Sequence, residues 1–376
     1  MQLSVTRCWS WRGSHSSGSG GWKAAGKARP QLCQLASAPL GEDLCMAKTA
    51  LVAVGGNSLI RAGEKGTITE QLANTRQTAV AIVGLIRMGY RLVITHGNGP
   101  QVGAQLLRSE RASDVTYSQT LDVCGAASQG EIGYLLAQSL HNELASESME
   151  VPVVSLITQA LVSLDDPAMQ KPSKPIGPFY SRADAEEKRH RLGWHIVEDA
   201  TRGYRRLVPS PEPTEIVELD VIHQLAERGV LVVSTGGGGI PVILVNGVHQ
   251  GVEAVIDKDR ASALLAARLG VDLFVISTDT DYVYLNYKRP GQRPLTRVTA
   301  AELEKHHRAG HFPPGNMGPK VESALRFISG GGKEAVITSF EHLCQAVSGL
   351  AGTHIVPNDD EIDGQHINEV ALLVSP

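Results

Sequence analysis

Six short, nearly continuous apolar runs constrain this chain more than any other feature. They are Ala50–Val54, Arg91–Thr95, Pro152–Thr158, Val230–Ser234, Val271–Ser277 and Ala335–Thr338. Strands covered on both faces need apolar side chains on both, so they lose the in–out alternation of a half-exposed sheet. Between the runs, Glu70–Met88, Leu121–Leu144, Ile216–Arg228 and Arg260–Leu269 carry a helical period, and several end at a glycine (Gly89, Gly229, Gly270). The alternation predicts an α/β chain: a doubly wound, mostly parallel sheet with helices on both faces, a three-layer α/β/α sandwich. Ligands of such sheets sit at the carboxyl ends of the strands, which is where the glycines cluster.

Composition narrows the function classes. The 376 residues amount to about two domains' worth of chain, and 42% hydrophobic with 20% charged residues excludes wholesale disorder. Lys and Arg total 35 against 39 Asp and Glu, a net charge of −4 without the basic excess of a nucleic-acid binder. No apolar run reaches the ~18 residues of a membrane span. Five cysteines, an odd number with no C-x-x-C pair, argue against a disulfide scaffold and a cysteine-based zinc site. The first 47 residues are a separate matter: Met1–Leu40 is basic, Ser- and Gly-rich and free of acidic residues. Such a leader fits an organellar transit peptide. A start at Met46 is the favoured reading, because Met46-Ala47-Lys48 leads at once into the first strand. The expected folded domain is 48–376 in either case.

Three glycine-rich turns follow strands directly: Gly55-Gly56-Asn57, His96-Gly97-Asn98-Gly99-Pro100 and Gly236-Gly237-Gly238-Gly239. Glycine lets a backbone come close to a phosphate and aim N–H groups at it. Pro100 suits the first turn of a helix whose N-terminus adds a positive dipole end. Any one of these turns could be a mere strand-to-helix connection, but three at strand ends point to phosphate. Neither G-x-G-x-x-G nor G-x-x-x-x-G-K-[ST] occurs among them, so the design is neither a dinucleotide fold nor a Walker-type NTPase. Asp257-Lys258-Asp259 and Met317-Gly318-Pro319-Lys320 supply charge. Phosphoryl transfer needs cations over the equatorial oxygens and a metal that travels with the nucleotide. Helix capping alone would also account for the Asp-Lys-Asp triplet.

Taken together, Val54-Gly55-Gly56-Asn57, Thr95-His96-Gly97-Asn98-Gly99-Pro100-Gln101-Val102-Gly103, Leu121-Asp122-Val123-Cys124-Gly125, Lys174-Pro175-Ile176-Gly177-Pro178-Phe179-Tyr180, Gly203-Tyr204-Arg205-Arg206, Gly236–Gly239, Val255-Ile256-Asp257-Lys258-Asp259 and Met317-Gly318-Pro319-Lys320 resemble the carbamate kinase family. The resemblance runs in order from about residue 48 to the C-terminus. It implies the amino-acid kinase fold and reversible phosphoryl transfer between ATP and carbamate, giving ADP and carbamoyl phosphate. It also implies Mg2+ carried with ATP or ADP, a homodimer, a cytoplasmic location, and a net direction toward ATP in fermentative arginine or related nitrogen catabolism. Carried over by position, it places Lys258 and Lys320 on the transferring phosphoryl group and gives Asp259 the task of orienting them. Gly55, Gly56, Asn57, His96, Gly97, Asn98 and Gly99 would line the carbamate and phosphate site. Lys174 would reach in from a protruding lid, residues 165–206. Gly236, Gly237, Gly238, Gly239, Thr278, Asp279, Asp281, Tyr282 and Met317 would serve the nucleotide.

Three positions depart from the family pattern. Ala200-Thr201-Arg202-Gly203 replaces A-G-R-G, Asp259-Arg260-Ala261 replaces D-L-A, and Thr278-Asp279-Thr280-Asp281 replaces T-D-V-D. Other candidates are weaker. His306, His307 and His311 lack H-E-x-x-H spacing and read as a solvated helix end. Ser128 is not in a G-x-S-x-G elbow. Cys124 reads as a buried thiol, and Asp184–Arg191 as a solvated helix face. Another acid kinase of the same fold, or a silent sensor of carbamoyl phosphate or nucleotide, remains as an alternative. The presence of both lysines favours the enzyme.

Overall fold

The computed structural model describes residues 48–55, 59–61, 63–199, 203–313 and 317–358. The leader 1–47, Gly56, Asn57 and the substituted turn Ala200-Thr201-Arg202 lie outside the described residues.

The six apolar runs become six contiguous parallel strands, in the order Glu334–Ser339, Leu273–Thr278, Thr49–Val54, Arg91–His96, Leu231–Val233, Val153–Ser155. Two further strands complete an eight-stranded sheet at one edge: Thr353–Val356, antiparallel to Glu334–Ser339, and Arg297–Thr299 beside it. Alternate residues divide the interior. Leu51, Ala53, Phe274 and Ile276 belong to one apolar core, and Ala50, Val52, Val54 and Val275 to the other. Helices Lys258–Leu269 and Met317–Ser329 pack together on the first face, and helices Ile68–Arg87 and Leu121–Ser146 on the second. Burial on both faces is the physical reason that these strands read as unbroken apolar runs.

Local chemistry fixes the helix ends. Thr67 and Glu70 form a reciprocal capping box at the start of Ile68–Arg87. Gly270 closes Lys258–Leu269 at φ 63°, a left-handed position that suits glycine. Phe274 and Phe327 meet edge to face, centroids 5.4 Å apart and both fully buried, which ties the sheet to helix Met317–Ser329. Truncating either ring to alanine would cost about 3–5 kcal/mol.

A second sheet of four strands joins Val248–Gly251, Ile240–Val245, Gln159–Val162 and Pro213–Ile216. Separately, Lys174–Tyr180, Gly203–Val208 and His195–Asp199 make a three-stranded antiparallel sheet carrying helix Arg182–Leu192. This unit meets the main body where Gly177 passes helix Gly99–Arg111. A Cβ on Gly103 would lie 3.1 Å from the Cα of Gly177.

Candidate active site

Asp257 starts the site. It is the N-cap of helix Lys258–Leu269, its Oδ1 accepting a bond from the Asp259 N–H at 3.0 Å. The cap places Lys258 and Asp259 in the first turn, at the carboxyl-end pole of the sheet. Asp259 is 4% exposed. Lys258 donates to its Oδ1 at 2.5 Å, and Lys320, from helix Met317–Ser329, donates to its Oδ2 at 3.0 Å. Burial alone would raise the Asp259 pKa, but the two ammonium groups outweigh it and hold the carboxyl far below its usual range. Burial lowers the Lys258 pKa, with Lys320 adding to the effect against the pull of Asp259. For Lys320 the balance reverses: burial opposes the charge, yet Asp259 raises its pKa. Lys174, reaching in from the three-stranded unit, sits 2.9 Å from Asp257 Oδ2 and 3.5 Å from the Ile256 carbonyl. Within this cluster three ammonium groups face two carboxylates. The excess positive charge suits an anionic ligand.

The His96–Gly99 turn lies beside the lysines. His96 is 2% exposed, and its Nδ1 contacts the Gly97 carbonyl at 3.0 Å. Burial, reinforced by the charge of Lys258, pushes its pKa down to about 4. The ring is therefore neutral, and its Nδ1–H donates to that carbonyl. Asn98 donates to Ser128 Oγ at 2.7 Å, and Ser128 donates to the Gly125 carbonyl at 2.6 Å.

The four-glycine run packs against this same turn. A Cβ on Gly236 would lie 2.4 Å from the His96 ring, and one on Gly237 would lie 2.2 Å from the Asn98 carboxamide. On Gly238 it would meet the Ile256 carbonyl oxygen at 2.7 Å. No side chain fits at any of the three. Gly55, at the end of strand Thr49–Val54, stands against Ser277, with a Cβ 3.0 Å from its carbonyl oxygen. Gln129 locks the arrangement: its Nε2 donates to the Thr158 and Gly236 carbonyls at 3.0 and 2.9 Å, and its Oε1 accepts from the Thr158 N–H at 2.8 Å.

The nucleotide candidates divide. Asp279 and Met317 line a narrow cleft with Thr280, Tyr284, Tyr287, His311, Phe312 and Pro313. Asp279 also contributes to the field on Lys320, so it lies within electrostatic reach of the lysine cluster. Thr278 donates to Asp279 at 3.2 Å, and Tyr282 packs edge to face on Tyr284. Asp281 turns away to His342, whose Nδ1 lies 3.0 Å from it and 2.9 Å from Ser339 Oγ. The glycine run is not at this cleft.

Of two lesser readings, one changes and one holds. His311 is not simply a solvated helix end, since it lines the cleft. His307 stacks on Phe312 and lies 3.4 Å from Glu322. Cys124 is fully buried, and its thiol pKa rises to about 11, chiefly by burial. Among the described residues no group of three His, Cys, Asp or Glu side chains is placed to hold a metal ion.

Sequence reasoning missed Gln129 and Thr158. The visible signal was Ser128-Gln129, a polar pair directly after the small-residue stretch Cys124-Gly125-Ala126-Ala127.

The model of the amino acid kinase family matches residues 48–339. The carbamate kinase of Thermococcus kodakarensis is 47% identical over 312 residues, which cover 82% of this chain and 99% of that protein. The carbamate kinase of Trichomonas vaginalis is 46% identical over 311 residues, 82% of this chain and 99% of that one. Among solved structures, carbamate kinase from Giardia lamblia bound to AMP-PNP superposes with a TM-score of 0.80 at 42% identity, covering 83% of this chain and 99% of that one.

Proposed function

The chain belongs to the amino acid kinase family and, within it, to the carbamate kinases, and from that membership we propose that the Lys258–Asp259–Lys320 cluster carries the phosphoryl transfer. One observation supports this above the others: a single buried carboxylate grips two lysines from separate helices, one on each oxygen. That grip fixes both cations before a ligand arrives, so little reorganisation is needed as charge develops.

In the direction of ATP synthesis, a β-phosphate oxygen of ADP attacks the phosphorus of carbamoyl phosphate. The bond from phosphorus to the carbamate oxygen breaks, and carbamate leaves with the electron pair. Lys258 and Lys320 spread over the equatorial oxygens of the transferring group. No general base is required, since attacking and leaving oxygens are both already anionic. Mg2+ carried with the nucleotide would supply neutralisation of phosphate charge.

We assign the acid end to Lys174, Gly55, the His96–Gly99 turn and the Gly236–Gly239 run. Sequence reading gave the run to the nucleotide, but its packing on His96 and Asn98 favours the acid end. The nucleotide takes the cleft of Asp279, Tyr284 and Met317. The unit around Lys174–Tyr180 acts as a lid: Lys188 lies 3.0 Å from Glu110 of helix Gly99–Arg111 and 5.0 Å from the ring centroids of both Tyr180 and Trp194. Those contacts hold the lid down while Lys174 faces Asp257. Water exclusion beneath it protects labile carbamoyl phosphate.

Net flow toward ATP, a homodimer and a cytoplasmic setting complete the proposal. Exposed Val123 and Tyr134 on helix Leu121–Ser146 supply apolar surface for a second copy. No described helix is long and apolar enough to cross a membrane. The deciding experiment is ATP formation from carbamoyl phosphate and MgADP by the purified chain. Nucleotide binding without turnover would make it a sensor instead.

A further inference from the structure

Thr235 carries two unfavourable features at once. Its backbone sits at φ 51°, ψ 36°, a left-handed conformation that is a genuine outlier for a β-branched residue. Its side chain is 1% exposed, and Oγ1 has no hydrogen-bond partner among the described residues. Buried hydroxyls nearly always find one. Of the four glycines that follow, Gly237, Gly238 and Gly239 are also at positive φ, so glycine would be the unstrained choice here too.

The surroundings hold Thr235 firmly in place. Its N–H donates to Thr158 Oγ1 at 3.0 Å, and its carbonyl accepts from the Gly238 N–H at 3.1 Å. Thr158 and Gly236 are both clamped by Gln129. The residue lies two positions past strand Leu231–Val233, one and two positions before the glycines that abut His96 and Asn98. A strained, buried, unpartnered donor kept in such a place marks a ligand contact rather than a packing residue.

We propose that the Thr235 hydroxyl is a further substrate contact, donating a hydrogen bond to an oxygen of carbamate or carbamoyl phosphate and setting preference for that acid. The proposal rests on the carbamate kinase reading of the site. It explains why threonine stands where glycine would relax the turn: glycine has no hydroxyl.

The test compares Thr235→Gly, Thr235→Val and Thr235→Ser in the full chain, by thermal unfolding and by steady-state kinetics with carbamoyl phosphate and MgADP. Thr235→Gly removes the strain and should raise Tm by on the order of 2 °C. Thr235→Val keeps the branch but removes an unpaired buried hydroxyl, so it should fold as well as the unsubstituted chain. Both should raise KM for carbamoyl phosphate about tenfold or more, the size of a lost hydrogen bond to a charged group. KM for ADP should stay within about threefold, and Thr235→Ser should keep both constants. If either the glycine or the valine variant keeps the carbamoyl phosphate KM within about threefold, the hydroxyl is not a contact and the inference is wrong. If the unsubstituted chain forms no ATP, the carbamate kinase reading fails and takes the inference with it.

Discussion

Lys320 Nζ lies 3.0 Å from Asp259 Oδ2, although 61 residues separate the two in the chain. Lys258, next to Asp259, holds the other oxygen. The carboxylate is thus spent on positioning, and the lysines keep their remaining donors for a ligand. The paired helices Lys258–Leu269 and Met317–Ser329 set the separation of the two cations.

Lys320→Ala removes one of these cations. We predict a fall in turnover of roughly 10²–10³-fold, the usual size for one transition-state donor. Folding should change little, because a site lysine contributes few apolar contacts. Turnover within about threefold of the unsubstituted enzyme would take Lys320 out of the mechanism.

Asp259→Asn should damage both stability and rate. It leaves two buried ammonium groups without their counter-charge, a loss on the order of 3–5 kcal/mol. Urea midpoints at constant m-value would read the stability, and steady-state kinetics the rate. A variant of unchanged midpoint would show that water or other groups already neutralise the lysines.

The parallel strands were legible as short apolar runs: five are buried on both faces, and Val153–Ser155, at the far edge, is half-buried. Arg297–Thr299 and Thr353–Val356 were not, being short strands of 3 and 4 residues with polar residues among the apolar ones. The second sheet escaped as well, since Gln159–Val162 and Pro213–Ile216 are equally short. Among site residues, Lys258, Asp259 and Lys320 could be read from motifs. The work of Gln129 could not, because its partners lie 29 and 107 residues away and are backbone atoms. Backbone carbonyls leave no mark in a sequence. Thr235 was hidden for a related reason, since its conformation belongs to the turn and not to the residue.

His96 makes stability depend on pH. Its folded pKa of about 4 lies below the ordinary 6.5, so the unfolded chain binds the extra proton between those values. Stability therefore falls as pH drops from about 6.5 to about 4, by up to roughly 3 kcal/mol from this group alone, and flattens below. His96→Gln should remove that share of the slope. Denaturant unfolding of both proteins at pH 7, 5.5 and 4.5 checks it, and parallel pH curves would refute the assignment.

Lys174→Ala tests the lid. In the structure its ammonium pairs with Asp257 at 2.9 Å, with the side chain 28% exposed. Asp257 in turn caps the helix that presents Lys258, so the lid reaches the chemistry through that cap. Its pairing with Asp257 is partly solvated, so the pair itself adds little stability. The loss should fall on the acid substrate instead. We predict a higher KM for carbamoyl phosphate or a lower turnover, with ADP affinity by calorimetry nearly unchanged. The nucleotide cleft of Asp279, Tyr284 and Met317 contains no residue of the lid, which is why the two effects should separate. Equal losses in ADP affinity and carbamoyl phosphate efficiency would put Lys174 on the nucleotide side and end the lid assignment.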